Sequence, residues 1–126
     1  MDAPAGMPHQ LAARVGEYGE RMAERYLRDQ GLHILARNWR CSLGEIDLVA
    51  RDGSVLVVCE VKTRRGSAYG FPTEAVTARK LTRLRRLAAA WLREHGGGFS
   101  GVRVDVIGVV RPRTGPCHVQ HLVGVA

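Results

Sequence analysis

The chain has 126 residues, 45% of them apolar, which suits one folded domain with a single hydrophobic core. Its 19 basic residues outnumber its 12 acidic residues, so the formal net charge is +7. This imbalance favours a polyanionic partner, with nucleic acid ahead of an anionic membrane surface. No apolar run approaches the roughly 20 residues that a membrane helix requires, which argues against a membrane protein.

The N-terminal segment 1–10 contains Pro4, Gly6 and Pro8 and lacks the apolar core of a secretory signal. We therefore predict a flexible tail over residues 1–10 and a single domain over residues 11–126. The three cysteines are widely spaced and odd in number, which favours reduced thiols and a cytoplasmic location.

Hydrophobic periodicity and turn residues predict seven elements. The predicted helices cover about residues 11–30 and a segment that begins between residues 73 and 77 and ends near residue 94. The predicted strands cover residues 33–39, 45–51, 55–63, 102–110 and about 118–123. A glycine-punctuated loop is expected over residues 64–72.

The second predicted helix links the third and fourth strands as a crossover, so these two strands are expected to be parallel. The sequence thus predicts an α/β domain in the order αβββαββ, with a mixed central sheet flanked by helices.

Cys117 and His121 suggest a pair of zinc ligands. The alternation around them indicates a strand, however, in which they would lie roughly 13 Å apart at the usual rise per residue. That separation is too long for two ligands of one metal ion, so an ordinary strand is the favoured interpretation.

Charged residues lie on two strands that a tight turn joins. Side chains alternate across a strand, so Glu45 and Asp47 share one face of the strand 45–51. Glu60 and Lys62 likewise share one face of the next strand. If these faces coincide, Asp47, Glu60 and Lys62 form one charged cluster with Glu45 beside them.

The register of the two strands determines which of these residues meet. The pair Asp52-Gly53 is a strong hairpin signal because both residues tolerate positive φ. A turn at this pair puts Asp47 opposite Val58 and Glu45 opposite Glu60. Asp47 is then diagonal to Glu60, at roughly 7–8 Å between their backbones.

The strand 55–63 is apolar on both faces before its charges begin, so it belongs in the middle of a sheet. Charges at the end of a covered strand are costly unless something compensates for them. Two carboxylates opposed by one lysine leave net negative charge, which a divalent cation would balance. The alternative is a solvated hairpin face that carries a few charges.

Mg²⁺ prefers oxygen ligands and keeps several waters, so one or two carboxylates suffice to bind it. Asp47 and Glu60 are the predicted ligands of Mg²⁺ or Mn²⁺, with the Val61 carbonyl as a third. Lys62 would orient the attacking water or offset charge in the transition state. Glu20, at the edge of the apolar stripe of the first helix, is either a fourth member or a surface glutamate.

Asp47 followed by Glu60-Val61-Lys62 resembles the PD-(D/E)XK nuclease superfamily. A longer set of residues is similar to the YraN family of small bacterial proteins: Gly16, Gly19-Glu20, Asn38-Trp39-Arg40, Gly44-Glu45-Ile46-Asp47-Leu48, Glu60-Val61-Lys62-Thr63-Arg64, Thr73-Glu74-Ala75-Val76, Lys80 and Val104-Asp105-Val106. This resemblance implies a restriction-endonuclease-like fold similar to archaeal Holliday junction resolvases. It also implies Glu20, Asp47, Glu60 and Lys62 as the nuclease site.

Basic residues beside the cluster and on the second helix are candidate phosphate contacts: Arg64, Arg65, Lys80 and Arg83. For any single arginine, an exposed basic helix face is the alternative. The leading functional prediction is a Mg²⁺- or Mn²⁺-dependent endonuclease that acts on DNA rather than RNA, and on structured or branched DNA. Two alternatives stay open, a non-catalytic DNA- or RNA-binding module and an adaptor for protein partners. Symmetric cutting of the resolvase type would require a homodimer.

Overall fold

The computed structural model describes residues 9–66 and 76–125, with side chains from Arg14 onward. In chain order its elements are α1 (His9–Asp29), β1 (His33–Cys41), β2 (Gly44–Asp52), β3 (Val55–Arg65), α2 (Ala78–His95), β4 (Gly101–Arg111) and β5 (His118–Leu122). This αβββαββ order confirms the predicted α/β class. Neither helix of the described residues is long and apolar enough to cross a membrane.

The five strands form one sheet in the order β1-β2-β3-β4-β5. β3 and β4 are parallel, as the crossover through α2 predicted, and the other three neighbouring pairs are antiparallel. β3 therefore occupies the centre of the sheet, and its residues 56–59 are fully buried. This position confirms that an apolar pattern on both faces indicates a covered central strand.

The two helices cover opposite faces of the sheet. Leu27 of α1 belongs to one core cluster with Val57 of β3, while Leu87 of α2 belongs to the other cluster with Val58. Neighbouring residues of one strand point to opposite faces, so the two clusters lie on either side of β3. Complete burial of each such side chain contributes about 1.5–3 kcal/mol, which fixes both helices on the sheet.

Most predicted boundaries differ from the structure by one or two residues, and three of these differences have a clear physical reason. His9 and Gln10, placed in the flexible tail, are helical, because neither residue disrupts a helix; residues 1–8 lie outside the described part of the chain. β3 continues through Arg65 into the predicted loop 64–72, because its last residues pair in register with β4. α2 begins at Ala78, since Thr77 is its N-cap and its Oγ1 accepts a hydrogen bond from a backbone N–H of the first turn.

The β2–β3 hairpin has a different register from the predicted one. Val49, rather than Asp47, lies opposite Val58, so the predicted pairing was wrong by two residues. The same register, continued along the strands, puts Asp47 opposite Glu60 instead of diagonal to it. A shift of two residues preserves the face on which each side chain lies, so the predicted meeting of these two acids does not depend on the error.

The turn itself explains the shift. Asp52 pairs with Val55 as the last residue of β2, so the two-residue connection is Gly53-Ser54. Gly53 adopts a φ of 58°, a left-handed conformation that glycine accepts without a steric penalty. Asp52 also accepts a hydrogen bond over 2.9 Å from Nη1 of Arg103 on β4, which holds it in the strand.

Candidate active site

The regular alternation of β2 is interrupted at Asp47. Ile46 packs in the core cluster on the α2 side, and so does Val49, three residues later. Leu48 packs on the α1 side. Strict alternation would put Ile46 and Leu48 on one face, so the strand changes its orientation at Asp47. The residue at this irregular position is the predicted metal ligand.

The irregularity lets the Asp47 side chain replace a backbone partner of β3. Oδ2 of Asp47 accepts a hydrogen bond from the backbone N–H of Val61 over 2.7 Å. This contact satisfies a central-strand N–H where the regular pairing of β2 with β3 has ended. It also fixes the carboxyl group beside Glu60, the residue that precedes Val61.

The carboxyl groups of Asp47 and Glu60 lie beside each other in one hollow of the surface. Burial, followed by the hydrogen bond and charge of Glu60, raises the pKa of Asp47 to about 8, although the Val61 N–H acts in the opposite direction. Asp47 therefore holds a proton at neutral pH. A protonated carboxyl group beside a second acid can exchange its proton for a cation, and carboxylate oxygen atoms are the ligand type that Mg²⁺ prefers.

Glu20 of α1 lies close enough to add to this negative field. Its charge contributes to the raised pKa of Asp47, and burial raises the pKa of Glu20 itself. Nevertheless, the described residues contain no group of three acidic, histidine or cysteine side chains placed to hold one metal ion. A metal at Asp47 and Glu60 would thus need water and backbone ligands, and the Val61 carbonyl stays a predicted ligand.

Asn38 connects the acids on α1 and β2. It lies across from Asp47 in the β1–β2 register and has a φ of 49°, which asparagine tolerates better than most residues. With its amide oriented to suit its neighbours, its nitrogen donates to Glu20 over 3.3 Å and to Glu45 over 3.2 Å. Asn38 has no role among the sequence-based predictions, although a polar residue of low strand propensity within a predicted strand is a signal of one.

The acids line one hollow, which we call the cleft, at the point where β2 and β3 diverge between the two helices. Its charged lining consists of Glu20, Glu45, Asp47, Glu60, Lys62, Lys80 and Arg83. Lys62 is only 4% exposed, so it forms a buried part of the lining of the cleft. Carboxylates from α1, β2 and β3 thus face basic side chains from α2 across one opening.

The four predicted phosphate contacts do not all reach this cleft. Lys80 and Arg83 line it, whereas Arg65 lines a separate hollow. Arg64 shares a strand face with Lys62 by alternation, and its Nε and Nη2 are buried without a hydrogen-bond partner in the described part of the chain. Only two of the four residues therefore border the acids.

A second buried charge lies on β4, and sequence analysis gave it no role. Asp105 is fully buried and accepts hydrogen bonds from Arg103 over 2.9 and 3.0 Å and from the Gly124 N–H over 2.9 Å. Nε2 of His121 lies 2.7 Å from Oδ2 of Asp105, which also accepts from Nη2 of Arg103. These contacts tie β5 and the segment after it to β4, which is a structural role. His121 thus contacts a carboxylate in the strand β5, and Cys117, with which the zinc alternative paired it, is a free thiol.

Comparison with known proteins gives one consistent family. A family model described as "Uncharacterised protein family UPF0102" matches residues 19–109, a span that contains every charged residue of the cleft. A UPF0102 protein of Beutenbergia cavernae is 58% identical over 111 residues, which cover 88% of this chain and 94% of that protein. A UPF0102 protein of Streptomyces coelicolor is 52% identical over 126 residues, covering 98% of this chain and 97% of that protein.

Proposed function

The chain belongs to the UPF0102 family, the YraN-like family that its motifs predicted, and from this premise we propose that it is a metal-dependent endonuclease. It hydrolyses phosphodiester bonds in DNA with Mg²⁺ or Mn²⁺. The observation that carries the proposal is that Asp47 and Glu60 line one cleft with the buried Lys62, where burial and then the neighbouring Glu60 carboxyl raise the pKa of Asp47.

The donor set of the cleft fits a hard divalent cation. Asp47 and Glu60 offer carboxylate oxygens and no soft ligand, and Mg²⁺ commonly binds through one or two carboxylates while keeping several waters. Glu20 and Glu45 line the same cleft and add carboxylate oxygens near this pair. When bound, the metal would polarise the scissile phosphate and lower the pKa of a bound water.

The protein's own residues perform the remaining tasks. Lys62, buried in the lining of the cleft, places a positive charge next to the reacting phosphate and offsets the negative charge that develops there. Lys80 and Arg83 on α2 contact the flanking backbone and position the strand. Asn38 holds the Glu20 side chain in place and so keeps it beside Asp47.

DNA is the proposed substrate because the formal charge of +7 and the basic side of the cleft suit a polyanion. The narrower proposal, structured or branched DNA, depends on the resemblance to junction resolvases. The alternative is a nucleic-acid-binding module that does not cut, and an adaptor for protein partners would not need this charge.

A cleavage assay separates these functions. Duplex, flap, single-stranded and four-way-junction DNA are incubated with the protein and Mn²⁺, or with chelator. We expect metal-dependent cutting that falls by at least about 100-fold in both Asp47→Asn and Glu60→Gln, a typical effect of removing one charge-stabilising group. The matched control is Glu94→Gln, which removes an exposed carboxylate near the end of α2 and should cut like the unmodified protein.

Two results would contradict the proposal. Cutting that survives Asp47→Asn would come from a contaminant or from another site. Binding of all four DNA structures with no cutting of any would favour the non-catalytic module.

A further inference from the structure

A second hollow lies at the end of the sheet where β3 and β4 finish. Four arginines line it together with Val15, Gly66 and Pro112: Arg14, Arg65, Arg111 and Arg113. We call it the arginine hollow. Among the described residues, it shares no lining residue with the cleft.

The fold itself assembles the four arginines. Arg65 and Arg111 are partners in the last step of the parallel β3–β4 ladder, so their side chains leave neighbouring strands on the same face. Neighbouring strands lie about 4.8 Å apart. Val15, which is buried, fixes α1 against this corner and carries Arg14 to the rim. Arg113 lies two residues beyond the end of β4.

No acidic side chain of the described residues lines the arginine hollow, and none of its arginines forms an ion pair within that part of the chain. The guanidinium of Arg111 instead lies 4.9 Å from the centre of the Tyr18 ring, which holds it in place by a cation–π contact. Four like charges that converge without a counter-charge repel one another. A bound anion would remove this repulsion, and the guanidinium group matches phosphate oxygens in pairs.

We propose that the arginine hollow binds a backbone phosphate of the same nucleic-acid strand that enters the cleft, several nucleotides away from the phosphate that is cut. The proposal rests on the proposed function for the identity of the ligand. Arg65 lies five residues beyond Glu60 on β3, which is roughly 16 Å at the usual strand rise. With about 3.4 Å of duplex axis per nucleotide, this separation corresponds to roughly five base pairs.

Length dependence is the measurable consequence. A DNA of about 20 base pairs centred on the cleft reaches the arginine hollow, whereas one of about 6 base pairs occupies the cleft alone. The hollow should therefore add affinity only for the longer ligand. Binding is measured by fluorescence anisotropy in chelator, so that no cutting occurs, and over a series of salt concentrations.

The test compares Arg65→Gln/Arg111→Gln with Arg93→Gln, a control that removes an exposed charge from the last turn of α2. The double variant should bind the long DNA about 10-fold more weakly or worse, with a salt slope smaller by about one to two, and bind the short DNA as before. The control should differ little from the unmodified protein. An equal loss for both DNA lengths, or an unchanged salt slope, would overturn the proposal.

Arg14→Gln tests the arginine hollow without a substitution in the sheet, because Arg14 is an exposed residue of α1. A loss of binding in this variant would therefore not come from a misfolded sheet. The variant should show the same length dependence to a smaller degree. Inorganic phosphate tests the other source of the anion. If phosphate alone raises the melting temperature through these arginines while long DNA gains nothing from them, the hollow is a free-anion site and the proposal fails.

Cleavage is scored separately, so the two proposals can fail independently. Length-dependent binding through the hollow without any cutting would retain this inference and reject catalysis. Cutting of long DNA that is unaffected by the arginine variants would reject this inference and retain catalysis.

Discussion

The backbone N–H of Val61 donates a hydrogen bond over 2.7 Å to Oδ2 of Asp47, a side chain of the neighbouring strand. The same carboxyl group lies beside that of Glu60, the residue before Val61. One side chain therefore completes the pairing of the central strand and supplies an oxygen to the proposed metal site. The structural and catalytic roles of Asp47 can be separated by the choice of substitution.

Asp47→Asn should keep the fold, because its side-chain oxygen can still accept from Val61 and its NH₂ group can donate to Glu60. Asp47→Ala should lower the free energy of unfolding by about 1–3 kcal/mol, since it leaves a buried N–H without a partner. Urea unfolding measures both, and cleavage should be lost in both. Equal stability of the two variants would show that the Val61 hydrogen bond contributes nothing.

The raised pKa of Asp47 predicts that the metal-free protein loses stability as the pH rises. The folded state keeps the Asp47 proton up to about pH 8, whereas the unfolded chain releases it near the ordinary value of 3.8. Between these values the folded state binds more protons, so its stability falls as the pH increases and levels off above about pH 8. Urea unfolding in chelator between about pH 5 and pH 9 should show this slope.

Asp47→Asn should remove most of that slope, because the titrating group is gone. Asp29→Asn changes an exposed carboxyl group at the end of α1 and should leave the pH dependence of the stability unchanged. A protein whose stability rises over this range would contradict the predicted protonation of Asp47.

Metal binding should depend on pH in the opposite sense. Mn²⁺ must displace the Asp47 proton, so its stabilising effect should be small near pH 6 and large near pH 9. At a metal concentration 100 times the dissociation constant, the gain is about 2.7 kcal/mol. Thermal melts with and without Mn²⁺ measure the effect, and Glu60→Gln should abolish it. If Mn²⁺ still raised the melting temperature of Glu60→Gln, and did so equally at both pH values, the metal would bind at another site.

The close approach of α1 to β3 gives another prediction, at Gly19. A Cβ at this position would lie 1.7 Å from Oγ1 of Thr63, a residue of the central strand that is only 8% exposed. Gly19→Ala should therefore push α1 off the sheet, lower stability by about 1–3 kcal/mol and displace the adjacent Glu20. Gly97→Ala is the matched control, since a Cβ at that position would meet no atom within 4 Å. Equal melting temperatures for the two variants would contradict the tight packing.

Much of this fold follows from local sequence patterns. The apolar run of β3 predicted a covered central strand, and the crossover through α2 predicted its parallel pairing with β4. The alternation of side chains along the two strands also predicted that Asp47 and Glu60 would share a site. These features depend on the period of side chains along one element, which the sequence contains directly.

The features that were missed depend on contacts between distant elements. The hairpin register changed because Asp52 stays in the strand, where it accepts from Arg103 of β4. The arginine hollow exists only because the parallel register puts Arg65 beside Arg111. Neither the turn signal nor the charge count contains this information, since both interactions join residues more than 40 positions apart.

The last prediction concerns Asn38, whose backbone conformation and side chain have separate roles. Its φ of 49° favours glycine or asparagine, and its amide donates to Glu20 and Glu45. Asn38→Gly should keep the fold, since glycine accepts this φ, but it should lower cleavage because Glu20 loses its donor. Asn38→Ala should lose the donor as well and also destabilise the protein by about 1–2 kcal/mol through backbone strain. Urea unfolding separates the variants by stability, and cleavage should be reduced in both to a similar degree. Full activity in Asn38→Gly would show that the amide does not position Glu20.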